Sequence, residues 1–226
     1  AGTAGTVANT GIGSFSLGSI TTGTHNIGLG SNTLYTATTA LRNVAIGFNA
    51  MTDTKAAIAV ADCTAIGYEA LKGNSSTTTT GVSGTVAIGK DALKLCVSGD
   101  GNVAVGYQSA TAMTTGARNV IIGYQAGDAM TIATRSVAIG YGALGAEDVG
   151  DRSIAIGFNS LASQNSDSDN ETTGNVGVGV EAGFYNATGT ANTYVGYNSG
   201  KGTTSANNQY NTGLGWQSLL KIQDGG

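Results

Sequence analysis

A seven-residue motif with glycine at its centre recurs along the whole chain and restricts the folds available to it. Clear copies are NVAIGFN (43–49), NVAVGYQ (102–108) and NVIIGYQ (119–125). Seven of the eleven intervals between successive central glycines are 17 residues, and the others are 19, 20 or 22. A fixed period with occasional insertions is typical of a solenoid in which each repeat forms one coil. The twelve glycines, called position 0 below, are Gly13, Gly30, Gly47, Gly67, Gly89, Gly106, Gly123, Gly140, Gly157, Gly179, Gly196 and Gly215.

The residues before the glycine alternate between large and small side chains. Position −3 is β-branched and position −1 is aliphatic in every copy, whereas position −2 is Ala or Gly in all copies except those with Ile121 and Tyr194. This period of two predicts a short strand with one bulky and one flat face. We expect the bulky face to fill the interior of the coil, and the flat face to permit close approach of a second copy of the chain.

Position −4 is asparagine in eight of the twelve copies. Stacked coils place these side chains about 4.8 Å apart, so their amides are expected to hydrogen-bond in a ladder along the axis. The rest of each coil is rich in Thr and Gly, and we expect a bend and a second short strand there. In that segment, position +7 counted from the glycine is apolar in several copies (Ile20, Cys96, Met113 and Met130), which indicates a side chain that faces inward. The asparagines are Asn9, Asn26, Asn43, Asn102, Asn119, Asn175, Asn192 and Asn211.

These patterns predict an all-β fold, a parallel β-solenoid or β-roll of about twelve 17-residue coils. A helix is disfavoured because glycine and β-branched residues recur in every copy. We expect one repeat domain over residues 1–226, with loop insertions near 52–62, 72–84, 162–174 and 201–210. One coil encloses a narrow core, and association of several chains would bury more apolar surface, so we expect a homotrimer.

Composition excludes several functional classes. The formal net charge is −4 and the sequence contains no run of basic residues, which argues against a nucleic-acid partner. No apolar stretch approaches the length of a membrane span, so no membrane insertion is expected. His25 is the only histidine, and no metal-ligand or Ser/His/Asp grouping occurs, so we expect no cofactor and no enzymatic activity. Cys63 and Cys96 are expected to be packing residues.

An aromatic residue follows the glycine in eight copies, including Tyr107, Tyr124 and Tyr141. One interpretation is a platform on which sugar rings stack. The other is structural: the column continues the inward face or packs between chains, with the tyrosine hydroxyls reaching solvent. Repetition in nearly every coil favours the structural interpretation.

Two charged groups are further candidates for contact with a receptor. Arg118, Arg135 and Arg152 occupy position −5 in three consecutive coils, where like charges about 5 Å apart repel one another. We expect a solvated edge with salt bridges to nearby acidic residues such as Glu147 and Asp151; contact with an anionic glycan is the alternative. Asp167 and Asp169 lie in an acidic insertion that could offer oxygen ligands to Ca²⁺, although a solvated loop fits the sequence better.

The motif resembles two related families of repeats. NVAIGFNAM (43–51), TVAIGKDAL (85–93), SVAIGYGAL (136–144) and SIAIGFNSL (153–161) resemble the head repeats of trimeric autotransporter adhesins. NVIIGYQAG (119–127) and NTGLGWQSL (211–219) are more similar to shaft repeats of bacteriophage tail fibres. The resemblance implies a homotrimeric extracellular fibre or adhesin segment, on a virion or a bacterial surface, that contacts a host glycan or protein. A glycan-binding solenoid is the other expectation.

Overall fold

The structure, a computed structural model, describes residues 8–54, 60–74, 81–166, 168–169, 171–203 and 207–222. In these residues every repeat contributes one three-residue strand, which spans positions −3 to −1. The strands are β1 (Thr10–Ile12), β2 (Ile27–Leu29), β3 (Val44–Ile46), β4 (Thr64–Ile66), β5 (Val86–Ile88), β6 (Val103–Val105), β7 (Val120–Ile122), β8 (Val137–Ile139), β9 (Ile154–Ile156), β10 (Val176–Val178), β11 (Thr193–Val195) and β12 (Thr212–Leu214).

The twelve strands form one parallel sheet in chain order, and each repeat position pairs with the same position of the next repeat. Val120 of β7, for example, pairs with Val137 of β8. The register also holds across an interval of 22 residues, where Ile154 pairs with Val176. The predicted parallel β-solenoid is therefore confirmed, and the extra residues of the long intervals lie outside the strands.

The orientation of the strands is opposite to the prediction. The small residue at position −2 points into the coil and is buried, as at Ala104 and Ala138. The β-branched and aliphatic residues at positions −3 and −1 face outward and are half-buried or exposed. The expectation that the bulky face fills the interior, and that the Ala/Gly face meets a second chain, is therefore wrong.

The opposite wall of the coil explains this orientation. Position +4 carries Leu or Met in most coils, and Leu34, Met51, Leu71, Leu93, Leu144 and Leu161 are fully buried. A Cβ atom added to Gly177 would lie 2.6 Å from Ser160 Oγ and 2.9 Å from Leu161 Cγ. Because these side chains already reach the strand, a 17-residue coil has no room for a second row of large residues.

The two exceptions at position −2 are accommodated by glycines at position +4. Ile121 is fully buried and lies beside Gly127, where a Cβ atom would stand 3.3 Å from Ile121 Cγ2. The ring of Tyr194 is also fully buried and lies between Gly183 and Gly200. The interior volume is therefore conserved by exchanging the large residue between the two walls.

The remainder of each coil contains turns rather than the second strand that we expected. In the described residues, the only β-pairing outside the twelve strands consists of isolated bridges, such as Thr24 with Leu41 and Asp151 with Thr172. Left-handed backbone at positions +2 and +4, as at Gln108 (φ 54°) and Ala110 (φ 50°), bends the chain too often for an extended segment. The prediction that position +7 faces inward is confirmed, since Cys96, Met113 and Met130 are fully buried.

Candidate interaction surfaces

The asparagines at position −4 form a buried hydrogen-bonded column that holds successive coils in register. Asn119 Nδ2 donates to Asn102 Oδ1 (3.1 Å) of the preceding coil and to the Ala133 carbonyl (2.8 Å) of its own coil. The backbone amide of Asn119 donates to the same Asn102 oxygen at 3.0 Å. Asn43 and Asn192 make equivalent bonds. Asn175, which follows Ser153 in the column, instead donates through Nδ2 to Gln164 Oε1 (2.9 Å) and to the Gly189 carbonyl (2.6 Å). These amides satisfy buried polar groups within the chain, so they serve the fold rather than a ligand.

Positions −3 and −1 together form an outward apolar surface, here called the outer strand face. It follows the sheet from β1 to β12, and its residues are Val, Ile, Leu and Thr. Ile122 and Ile156 are 36% and 37% exposed in the single chain. Twelve strands that each expose two such side chains make a continuous patch, and large exposed apolar patches mark sites of association.

The aromatic column at position +1 also lies on the outside of the coil. Tyr107, Tyr124, Tyr141 and Phe158 stack face to face in consecutive coils, with centroid distances of 5.0, 5.6 and 5.2 Å and interplanar angles of 10–13°. Phe48 and Tyr68 stack in the same way at 5.5 Å. The expectation that the column continues an inward face is therefore wrong, because the rings are 39–49% exposed.

The stacking leaves ring edges rather than ring faces to solvent. Tyr124 and Tyr141 each have an aromatic neighbour on both faces. Where the column is interrupted at Lys90, the ammonium group covers the faces of Tyr68 and Tyr107, with 5.5 and 5.2 Å from Nζ to the centroids. A sugar ring stacks on an open aromatic face, and inside the column these faces are already occupied.

A group of ion pairs flanks the column at Lys90, and we did not predict it. Lys94 Nζ lies 2.6 Å from Glu69 Oε2, and Lys72 Nζ lies 3.1 Å from Glu69 Oε1. Burial alone would raise the pKa of Glu69, but hydrogen bonds from Lys94, Lys72 and Asn49 outweigh it and lower the pKa to about 2. The sequence signal was the placement of carboxylates at position +2 and lysines at position +5 in successive repeats.

We expect the Glu69 ion pairs to make stability depend on pH in acid. The folded-state pKa of about 2 lies below the ordinary value of 4.5, so the contribution is complete above pH 4.5 and is lost as the pH falls toward 2. Denaturant unfolding of the native chain and of Glu69→Gln, measured between pH 6 and 2, tests this. The gap in unfolding free energy between the two should shrink as the pH falls below 4.5; a gap independent of pH would contradict the assignment.

The arginine column lies at position −5, where the backbone is left-handed. The φ values are 61° at Arg118, 58° at Arg135 and 62° at Arg152, and all three side chains are exposed. Arg152 Nη1 donates to Thr172 Oγ1 at 2.6 Å. In the described part of the chain, Arg118 and Arg135 form no ion pair.

The expected salt bridges from acidic neighbours of this column are therefore wrong for these residues. Glu147 is fully buried and accepts hydrogen bonds from Gln164 Nε2 (2.6 Å) and the Gly150 amide (2.7 Å). Asp151 is also buried, and its Oδ1 accepts from the Thr134 amide at 2.6 Å. Both carboxylates therefore accept hydrogen bonds from backbone amides or buried side chains and do not pair with the guanidinium groups.

Of the two acidic candidates in the insertion, Asp169 is exposed and Asp167 lies outside the described residues. Across the described ranges there is no group of three or more His, Cys, Asp or Glu side chains arranged to hold a metal ion. The same ranges contain no helix with the length and apolar character needed to cross a bilayer. His25 is exposed and its Nδ1 lies 3.0 Å from Thr24 Oγ1.

Both cysteines are buried free thiols in the core. Burial raises the pKa of Cys63 to about 11 and the pKa of Cys96 to about 12. Thiols with such pKa values stay protonated at neutral pH and are poor nucleophiles. The packing role expected for these residues agrees with their surroundings.

Comparison with known proteins found no matching family model, no matching curated sequence and no matching solved structure. The fold and the surfaces described above define the chain as a parallel β-solenoid.

Proposed function

We propose that the chain is a rigid, non-enzymatic segment of an extracellular fibre, and that three copies associate through their outer strand faces. The leading candidate is the shaft or receptor-binding region of a bacteriophage tail fibre, which its motif resembles. The observation that carries the proposal is the outer strand face, an apolar surface that extends over all twelve strands. In the proposed homotrimer, the other two copies of the chain cover the outer strand face. The assembled fibre would then contact a host glycan or protein.

The surface has the properties of an association face rather than of a solvent face. Its position −1 residues are Ile, Val or Leu in every coil, and its position −3 residues are Val, Ile or Thr. No residue of the twelve strands is charged. Burial of apolar area provides most of the free energy of association, about 25 cal/mol per Å² before the entropic cost of assembly.

A bacterial trimeric adhesin head is the second candidate, because the SVAIG-type copies resemble such heads and an adhesin would use the same outer strand face. A solenoid that binds glycans through the aromatic column is less well supported. Tyr124 and Tyr141 are covered on both faces by their neighbours, so a stacking platform is absent at these positions.

A lysine on the outer strand face should prevent association. Ile122→Lys places a charge in each of the buried interfaces of the trimer, whereas the single chain leaves this position 36% exposed and can accommodate it. Thr115→Lys, at an exposed position outside the strands, is the matched control. Sedimentation velocity should show a trimer for the native chain and for Thr115→Lys, and monomers for Ile122→Lys. A trimer that tolerates Ile122→Lys would show that another surface makes the interface.

A further inference from the structure

We propose that the column of Arg118, Arg135 and Arg152 is a binding site for an acidic polysaccharide, whose carboxylate or sulfate groups pair with the guanidinium groups. This inference rests on the proposed fibre function and deepens it, because it names the residues and the class of glycan that such a fibre would contact. It rests on the charges of the column, on the lack of ion pairs to it in the described residues, and on its spacing.

The charge pattern of this column differs from that of a structural ion pair elsewhere at the same position. Arg42 and Asp62 occupy position −5 in successive coils, and Arg42 Nε donates to Asp62 Oδ1 at 2.6 Å while Nη2 donates to Oδ2 at 2.7 Å. The chain therefore places opposite charges in neighbouring coils where it builds a pair across them. At Arg118, Arg135 and Arg152 it places three like charges, which repel one another without an anion between or beside them.

Intramolecular bonds do not account for the column either. Within the described residues no carboxylate lies within ion-pair distance of the three guanidinium groups, and the partner of Arg152 is the neutral hydroxyl of Thr172. The nearby carboxylate of Asp151 is buried against the Thr134 amide. The guanidinium groups of Arg118 and Arg135 therefore keep their hydrogen-bond donors available for a ligand.

The left-handed backbone at position −5 belongs to the coil and not to this column in particular. His25, Arg42 and Asp62 occupy the same position with φ values of 61°, 56° and 61°. A ligand is therefore indicated by the charges of the three arginines and by their spacing.

The spacing of the column selects the class of ligand. Consecutive coils are about 4.8 Å apart, so the three positions span about 10 Å along the axis. This distance suits a few sugar units of an extended acidic polysaccharide that lies along the rod. Guanidinium groups form bidentate bonds with planar carboxylates and with sulfate or phosphate oxygens. The net charge of −4 disfavours a nucleic acid, which carries a denser charge and needs a larger basic surface.

The test compares two glycine variants. Arg118→Gly/Arg135→Gly/Arg152→Gly removes the column while glycine retains the left-handed backbone, and Arg42→Gly is the control at the same repeat position. Isothermal titration at low salt would use four probes: a heparin-derived sulfated oligosaccharide, an oligogalacturonate and a neutral glucan oligomer of equal length, and an oligonucleotide with the same charge as the sulfated probe. Circular dichroism and the unfolding temperature of each variant establish that it is folded.

The native chain and Arg42→Gly should bind at least one of the two acidic probes and not the neutral glucan. Affinity should fall steeply with salt, and the triple variant should lose about tenfold or more. The sulfated and carboxylated probes distinguish the two possible anions. The proposal is overturned if neither acidic probe binds, if the folded triple variant binds as well as the native chain, if Arg42→Gly loses as much affinity, or if an oligonucleotide of equal charge binds as tightly.

Discussion

Gly106→Ala should destabilise the chain by about 3 kcal/mol or more, although it adds a single methyl group. Gly106 has φ 140°, and a Cβ atom there would lie 2.2 Å from the carbonyl oxygen and 2.6 Å from the carbonyl carbon of Gly123 in the next coil. The obstacle is backbone, and Gly123 is itself fixed by the bond from its amide to the Val105 carbonyl (2.8 Å). Relief therefore requires neighbouring coils to separate.

Gly101→Ala is the matched control for this experiment. Gly101 precedes the strand of the same repeat and has a left-handed backbone (φ 70°), but no heavy atom lies within 4 Å of its added Cβ. Its cost should be limited to the left-handed conformation, about 1 kcal/mol. Denaturant unfolding of both variants measures the difference. Equal losses would mean that the repeat glycine is retained for its φ angle alone, and not for the close approach of the coils.

The second large effect should come from the interior of the coil that contains β11. Gly200→Leu should destabilise the chain by more than about 3 kcal/mol, because a Cβ atom at Gly200 would lie 2.0–2.3 Å from ring atoms of Tyr194. The backbone itself accepts leucine at this position, since Leu144 has φ 50° and Gly200 has φ 59°. The clash is therefore between two side chains that claim the same interior volume.

A second substitution should relieve that clash. Tyr194→Ala alone should cost about 3–5 kcal/mol through the cavity that it leaves. Tyr194→Ala/Gly200→Leu restores the residue types of the β8 coil, where Ala138 at position −2 and Leu144 at position +4 are both fully buried. The double variant should therefore be more stable than Gly200→Leu alone. The double-mutant cycle should give a favourable coupling of about 2 kcal/mol or more. Additive losses would show that the two positions do not share one interior space.

The repeat explains why the fold could be predicted from the sequence. Twelve motifs with a common period fix the position of each strand, and the observed strands coincide with positions −3 to −1 in every copy. The inward and outward faces were assigned wrongly, since alternation alone defines two faces but does not say which one is enclosed. A signal was nevertheless present: Ile121 and Tyr194 occur in repeats with glycine at position +4, namely Gly127 and Gly200. A large residue at position −2 is thus accompanied by glycine at position +4, which indicates that both positions face the same interior space.

The surface features were harder to predict from the sequence than the fold. The stacked aromatic column follows from the period, but whether Tyr124 offers its face or its edge depends on side-chain rotation, which no repeat pattern encodes. The left-handed backbone at Arg118 was also hidden, because arginine does not favour it. Only the glycines at the same position in other repeats, such as Gly101, indicated that conformation.

The molar mass of the native chain in solution, measured by light scattering, tests the proposed trimer most directly. One chain has a mass of 22.3 kDa. Association of three copies through their outer strand faces predicts a mass three times this value that persists on dilution. A mass of 22.3 kDa would contradict the account, because the outer strand face would then remain exposed to water; a mass of twice that value would contradict the threefold arrangement.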